Sequence, residues 1–170
     1  ENLWPLPNGV SYNSYLINDE KVTLIDTVDV CYSDIFFRKI HAVLGEKPID
    51  YLIVNHMEPD HSGSIEMIVN RYPDIKIIGN NRTADMLKGF YGITQNIHII
   101  KDGDECSIGK NTLKFYLTPM VHWPETMMTY VMESKILFSA DAFGTFGTLD
   151  GGVLDTHLCP GKYWDEMVRY

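Results

Sequence analysis

The sequence predicts an α/β sandwich. Apolar strands alternate with amphipathic helices in the first part of the chain, and strands then follow one another in succession. The composition permits a packed core, with 45% hydrophobic and 12% aromatic residues in 170, a length that fits one domain over 1–170.

The elements follow in order. Val10–Asn18 and Lys21–Asp26 alternate and flank the polar Asp19-Glu20, which reads as a β-hairpin. Ser33 is placed to cap a helix to about Leu44, with Ile35, Phe36, Ile40, Val43 and Leu44 at helical spacing and Gly45 as the stop. Tyr51–Asn55 is a short apolar run, hence a buried strand. Ser62–Tyr72 reads as a second helix, Lys76–Ile78 as a strand and Arg82–Tyr91 as a third helix. Ile97–Lys101 is a strand that turns at Asp102-Gly103, followed by strands at Thr112–Thr118, Met127–Met132 and Ile136–Ser139. Gly144, Gly147, Gly151 and Gly152 mark a flexible stretch, and Lys162–Tyr170 begins a last helix whose Trp164, Met167 and Val168 need a partner surface. The chain starts at Glu1 and stops inside that helix, so at least one end is expected to have been cut.

Composition narrows the function. The net charge of -9 repels phosphate backbones, which argues against a nucleic-acid partner. Cys31, Cys106 and Cys159 are scattered, which argues against a thiolate zinc site and a disulfide scaffold and points to a reducing cytoplasm. No stretch approaches a membrane span, and no signal peptide is read.

The chemistry concentrates in His56-Met57-Glu58-Pro59-Asp60-His61, four potential metal ligands at a strand-to-helix junction. Residues two apart on an extended backbone point the same way, so His56 and Glu58 can reach one metal together. Pro59 keeps Glu58 out of the helical region. Asp60 and His61 lie past that turn and can face a second metal. His122, in PMVHWPE, and Asp141, in SADAFG, each follow a strand end, where a rigid sheet positions loop residues. An isolated His or Asp there ordinarily caps or is solvated, but the cluster makes both credible ligands. Asp141 has two oxygens and can bridge. His41, His98 and His157 are assigned to surface or core. Trp123, Phe143 and Phe146 flank the ligands and are expected to keep the site dry.

The motif H-x-[EH]-x-D-H after a strand is the signature of metallo-β-lactamase-fold proteins. Glu58, where hydrolases of that superfamily carry His, makes this chain resemble the flavodiiron proteins. The resemblance runs through ENLWPLPNGVSYNSYLI, HMEPDHSGS, HWPETMMTY and FSADAFGTFG, with sixty residues between His61 and His122 and eighteen between His122 and Asp141. It implies a metallo-β-lactamase-like αββα sandwich, here incomplete at its C-terminal end, and a non-haem centre of two Fe. By position, His56, Glu58 and His122 would ligate one iron, Asp60 and His61 would face the other, and Asp141 would bridge. The family has one further His beyond Asp141, and His157 is too close in sequence to match it. The family also carries a flavodoxin-like FMN domain, absent from these 170 residues.

The chemistry of Glu58 supports iron independently. A carboxylate is a hard, anionic donor that stabilises a higher-valent cation better than imidazole does. Glu58, Asp60 and Asp141 together offset three of the four charges on a diferrous pair. Carboxylates bind zinc too, so a dinuclear zinc hydrolase stays open as the alternative. The function implied by the resemblance is reduction of O2 to water or of NO to N2O, protecting an anaerobe. FMN would come from the neighbouring subunit of a head-to-tail homodimer, and electrons from a rubredoxin-like donor. Coupling two NO takes two electrons, which two Fe(II) can supply, whereas O2 to water takes four and needs the FMN. These residues alone are therefore expected to turn over once.

Overall fold

The computed structural model describes residues 9–144, 147, 148, 152, 154–157, 161, 164 and 168. The chain forms two compact units, Asn13–Ala140 and a smaller one of Glu1–Tyr12 with Asp141–Tyr170.

The larger unit contains β1 (Tyr15–Asn18), β2 (Val22–Ile25), α1 (Ser33–Leu44), β3 (Tyr51–Ile53), α2 (Pro59–Ser62), α3 (Ile65–Arg71), β4 (Lys76–Gly79), α4 (Asn81–Tyr91), β5 (Ile97–Ile99), β6 (Glu105–Ser107), β7 (Thr112–Leu117), β8 (Met127–Val131) and β9 (Ile136–Phe138). The first sheet has order β1-β2-β3-β4-β5, with β1 antiparallel to β2 and the remaining neighbours parallel. Each parallel pair is joined by a helical crossover. Crossovers between successive strands share one hand, which places all the helices on one face of the sheet. The opposite face is left for a second sheet, β6-β7-β8-β9, which is antiparallel throughout.

Register explains the core. Ile25, Ile53 and Ile78 are cross-strand neighbours in one row. They cluster with Leu113 and Phe115 of β7 and Met127 and Val131 of β8, all nearly inaccessible to solvent. Alternation turns Leu24, Leu52 and Ile77 to the other face, where helices lie over the sheet, and these too are buried. Their near-continuous apolar runs are what strands covered on both faces require.

Several boundaries depart from the sequence reading. The segment 10–14 is not strand, because Asp26 adopts φ 54 and ends β2, so no partner extends beyond the Tyr15–Ile25 pair. Helix α1 begins after Tyr32 rather than being capped by Ser33, since Asp29 accepts from the Cys31 N–H in a preceding 3-10 turn. The expected helix over 62–72 is two helices. Ser64 Oγ donates to the Val28 carbonyl at 2.9 Å, and a side chain at Gly63 would meet Val30 N at 2.9 Å. Those contacts take the chain out of helical geometry between α2 and α3. The polar three-residue strand β6 was not expected. Among the described residues no helix is long and apolar enough to cross a membrane.

The hairpin turn also ties the two sheets together. Asp19 accepts hydrogen bonds from the Asn111 side chain at 2.7 Å and from the N–H groups of Lys110 and Asn111, just before β7. Gly109 makes this close approach possible, because it sits at φ 126 and a Cβ there would lie 2.7 Å from Asp19 Oδ1. The Asn111 side chain first, with these backbone donors, lowers the Asp19 pKa from its ordinary 3.8 to about 2. A depressed carboxylate pKa contributes stability that is present above the unfolded value and lost as pH falls through the folded one. The chain is therefore expected to lose stability between about pH 4 and pH 2 through this contact. Asp19→Ala should flatten that part of the acid-unfolding curve, read by circular dichroism.

In the smaller unit, the Gly144 N–H donates to the Asp141 carbonyl across the turn that begins at Asp141. Trp164 and Val168 are helical, as expected of the last helix, and exposed, whereas Lys162, Tyr163 and Met167 lie outside the described residues. Phe143 is 82% exposed and sits at φ 68. Phe146 lies outside the described residues.

Candidate metal centre

The site grows from the C-terminal end of β3. Ile53 is the last strand residue, the chain bends at Asn55, and Glu58 is extended, with φ -60 and ψ 145, as the residue preceding α2. Pro59 opens α2, which accounts for that conformation. Met57 is fully buried while its neighbours His56 and Glu58 turn to the other side.

Three side chains converge there. His56 Nε2 lies 3.2 Å from His122 Nε2 and 3.3 Å from Glu58 Oε2, and His122 Nε2 lies 3.0 Å from Glu58 Oε2. Ligand atoms about 2.0–2.2 Å from one ion sit roughly 3.0–3.5 Å from each other. The triangle has that spacing, and its donor set of two imidazoles and a carboxylate suits iron or zinc, so the residues fit an ion. The expected second pair stands beside it. His61 Nε2 is 3.6 Å from Asp60 Oδ2, and the His61 and His56 ring centroids are 5.2 Å apart.

The site is buried at one end and open at the other. His56 and His61 are buried, whereas the side chains of Glu58 and His122 are 36% and 44% exposed. Trp123 stands edge-on to His56 at 5.3 Å, in the packing role expected of it. Asp141 follows β9 by three residues in sequence and is half-buried in the smaller unit. His41, His98 and His157 are exposed and join no ligand group among the described residues.

Two buried carboxylates support the ligands, and neither was singled out in the sequence. Glu125 Oε1 accepts from His56 Nδ1 and from the Met57 N–H, each at 2.8 Å. Burial pushes the Glu125 pKa up, but those hydrogen bonds outweigh it and hold the carboxyl below its usual range. Asp26 Oδ1 accepts from the Asn55 N–H at 2.7 Å, and its Oδ2 lies 3.5 Å from His61 Nδ1. The available signals were weak. Glu125 follows His122 by three positions, and Asp26 is a charged residue closing an apolar strand.

A family model described as ODP family beta lactamase matches residues 10–158. The chain belongs to this family. Its ODP domain has the metallo-β-lactamase-like fold expected from the sequence, and the resemblance to flavodiiron proteins holds. Anaerobic nitric oxide reductase flavorubredoxin from Pectobacterium atrosepticum is 44% identical over 164 residues, covering 95% of this chain and 32% of that protein. The chain thus spans about a third of the length of that curated relative. Rubredoxin oxygen:oxidoreductase from Desulfovibrio gigas superposes with a TM-score of 0.90 at 31% identity, over 95% of this chain and 40% of that one. A mutant of the flavo di-iron protein from Thermotoga maritima gives 0.87 at 35% identity, over 98% and 42%.

Proposed function

We propose that the ODP domain holds a diiron centre that reduces NO to N2O, O2 to water, or both, as part of a longer protein. The observation that carries this reading is the His56–Glu58–His122 triangle, with a carboxylate at its solvent-facing edge. The names of the relatives, a nitric oxide reductase and a rubredoxin oxygen:oxidoreductase, point the same way.

The roles are those that the family resemblance implies. His56, Glu58 and His122 would hold one iron, Asp60 and His61 would face the second, and Asp141 would bridge. When bound, two ferrous ions supply two electrons at adjacent centres. The protein's own part is positional. His56 and His61 are buried, while Glu58 and His122 are half-exposed, so a small substrate would approach from the Glu58 and His122 side. Glu58 and Asp60 supply anionic oxygens that offset charge the imidazoles leave uncompensated.

The longer protein would draw on FMN from the partner of a head-to-tail homodimer and on a rubredoxin-like donor in the cytoplasm. The test is to load the chain with Fe(II) without oxygen, add excess NO and measure N2O. We expect about one N2O per two irons, from the two-electron stoichiometry. Iron that stays ferrous, with no N2O formed, would contradict the proposal.

A further inference from the structure

The loop between β7 and β8 carries two residues that reach His56 at its two ring nitrogens. His122 adds its own Nε2 to the ligand triangle, and three residues later Glu125 reaches behind His56 to its Nδ1. Glu125 is fully buried. Its Oε1 accepts from Met57 N, which can only donate, and an ionised carboxylate has no proton to offer. His56 Nδ1, 2.8 Å from the same oxygen, is therefore the donor in its own hydrogen bond. The proton belongs on Nδ1, and Nε2 is left with a lone pair facing Glu58 and His122.

The loop itself is pinned at several points. Asn80, which caps α4 by accepting from Arg82 and Thr83, donates its Nδ2–H to the Glu125 carbonyl at 2.6 Å. Thr126 Oγ1 donates to the carbonyls of Thr118 and Trp123, closing the loop on itself. The Trp123 indole meets the His56 ring edge-on. Glu125 Oε2 is buried and has no hydrogen-bond partner among the described residues. The carboxylate is thus anchored through Oε1 alone, to the ligand histidine and its neighbouring amide.

We propose that Glu125 is a positioning residue for the metal centre, fixing His56 as the Nδ1–H tautomer and coupling that tautomer to the seating of the loop that delivers His122. The inference rests on His56 being a metal ligand, as argued above. A carboxylate behind a ligand imidazole orients the ring and raises its basicity, and losing such a partner costs about 10–100-fold in metal affinity. One loop then sets both imidazoles of the triangle. An ion bound between His56 and His122 stabilises the loop, and a displaced loop weakens both ligands together.

The test uses Co(II) as the probe, because its visible bands report the ligand field. The full 170-residue chain is stripped with chelator and titrated with Co(II) as wild type, Glu125→Ala, Glu125→Gln and His56→Ala, with apo-protein melting as a parallel readout. For Glu125→Ala we expect Co(II) to bind about 10–100-fold more weakly with shifted bands. Glu125→Gln keeps the shape and an acceptor oxygen but not the charge, so it should recover part of the affinity. If Glu125→Ala does not fold, a several-fold loss with altered bands in Glu125→Gln supports the proposal, and wild-type affinity with wild-type bands overturns it. Variants that melt earlier as apo-protein yet bind Co(II) like wild type would show Glu125 to be structural only, and would overturn it. A wild type that binds Co(II) no better than His56→Ala would instead overturn the metal reading beneath it.

Discussion

Asn55→Ala is expected to destabilise the chain by about 3 kcal/mol, because it strands one buried and one partly buried polar group and opens a small cavity. Asn55 follows β3 and is buried. Its Oδ1 accepts from Thr129 Oγ1 at 2.7 Å, and its Nδ2 donates to the Phe138 carbonyl at 3.2 Å. Its backbone carbonyl accepts from Met127, and its N–H donates to Asp26. One side chain thus fastens the first sheet to β8 and β9 immediately before the first ligand. Alanine leaves the Thr129 hydroxyl without its acceptor and the Phe138 carbonyl without its donor. Urea unfolding should show the loss, with a fall in Tm of roughly 6–12 °C. Metal affinity should fall with it, because His56 is the next residue. A loss below about 1 kcal/mol would mean that water replaces both partners at little cost.

The second large effect concerns metal choice. Glu58→His converts the triangle of two imidazoles and a carboxylate into three imidazoles, a set that suits zinc. The expected result is a fall of roughly tenfold in the iron-to-zinc ratio after expression in mixed-metal medium, because the hard anionic donor is gone. N2O formation should fall in proportion to iron. The ratio is read by elemental analysis of the purified variant. An unchanged ratio would assign metal choice to residues other than Glu58.

Particular residues show why some features were legible in the sequence and others were not. The run Tyr51–Asn55 is apolar because β3 is covered on both faces, and Pro59 dictates the extended Glu58, so the ligand arm could be read directly. His122 was legible as a polar residue placed where a strand ends. Glu125 was not, because its task depends on His56, 69 positions earlier, and only the folded sheets bring the two together. The division at Gly63 was hidden for a similar reason. Local pattern favours one continuous helix, and the opposing contacts come from Val28 and Val30. Strand β6 carries only Cys106 inward between Glu105 and Ser107, too short and too polar to show alternation.

The central claim is a two-iron centre built on HMEPDH and His122. Anaerobic titration with Fe(II), followed by Mössbauer spectroscopy before and after oxidation, tests it most directly. The account predicts two irons per chain, with the His56–Glu58–His122 group filling first and an exchange-coupled pair after oxidation. A single iron per chain, two magnetically isolated irons, or ready displacement of iron by equimolar zinc would contradict it.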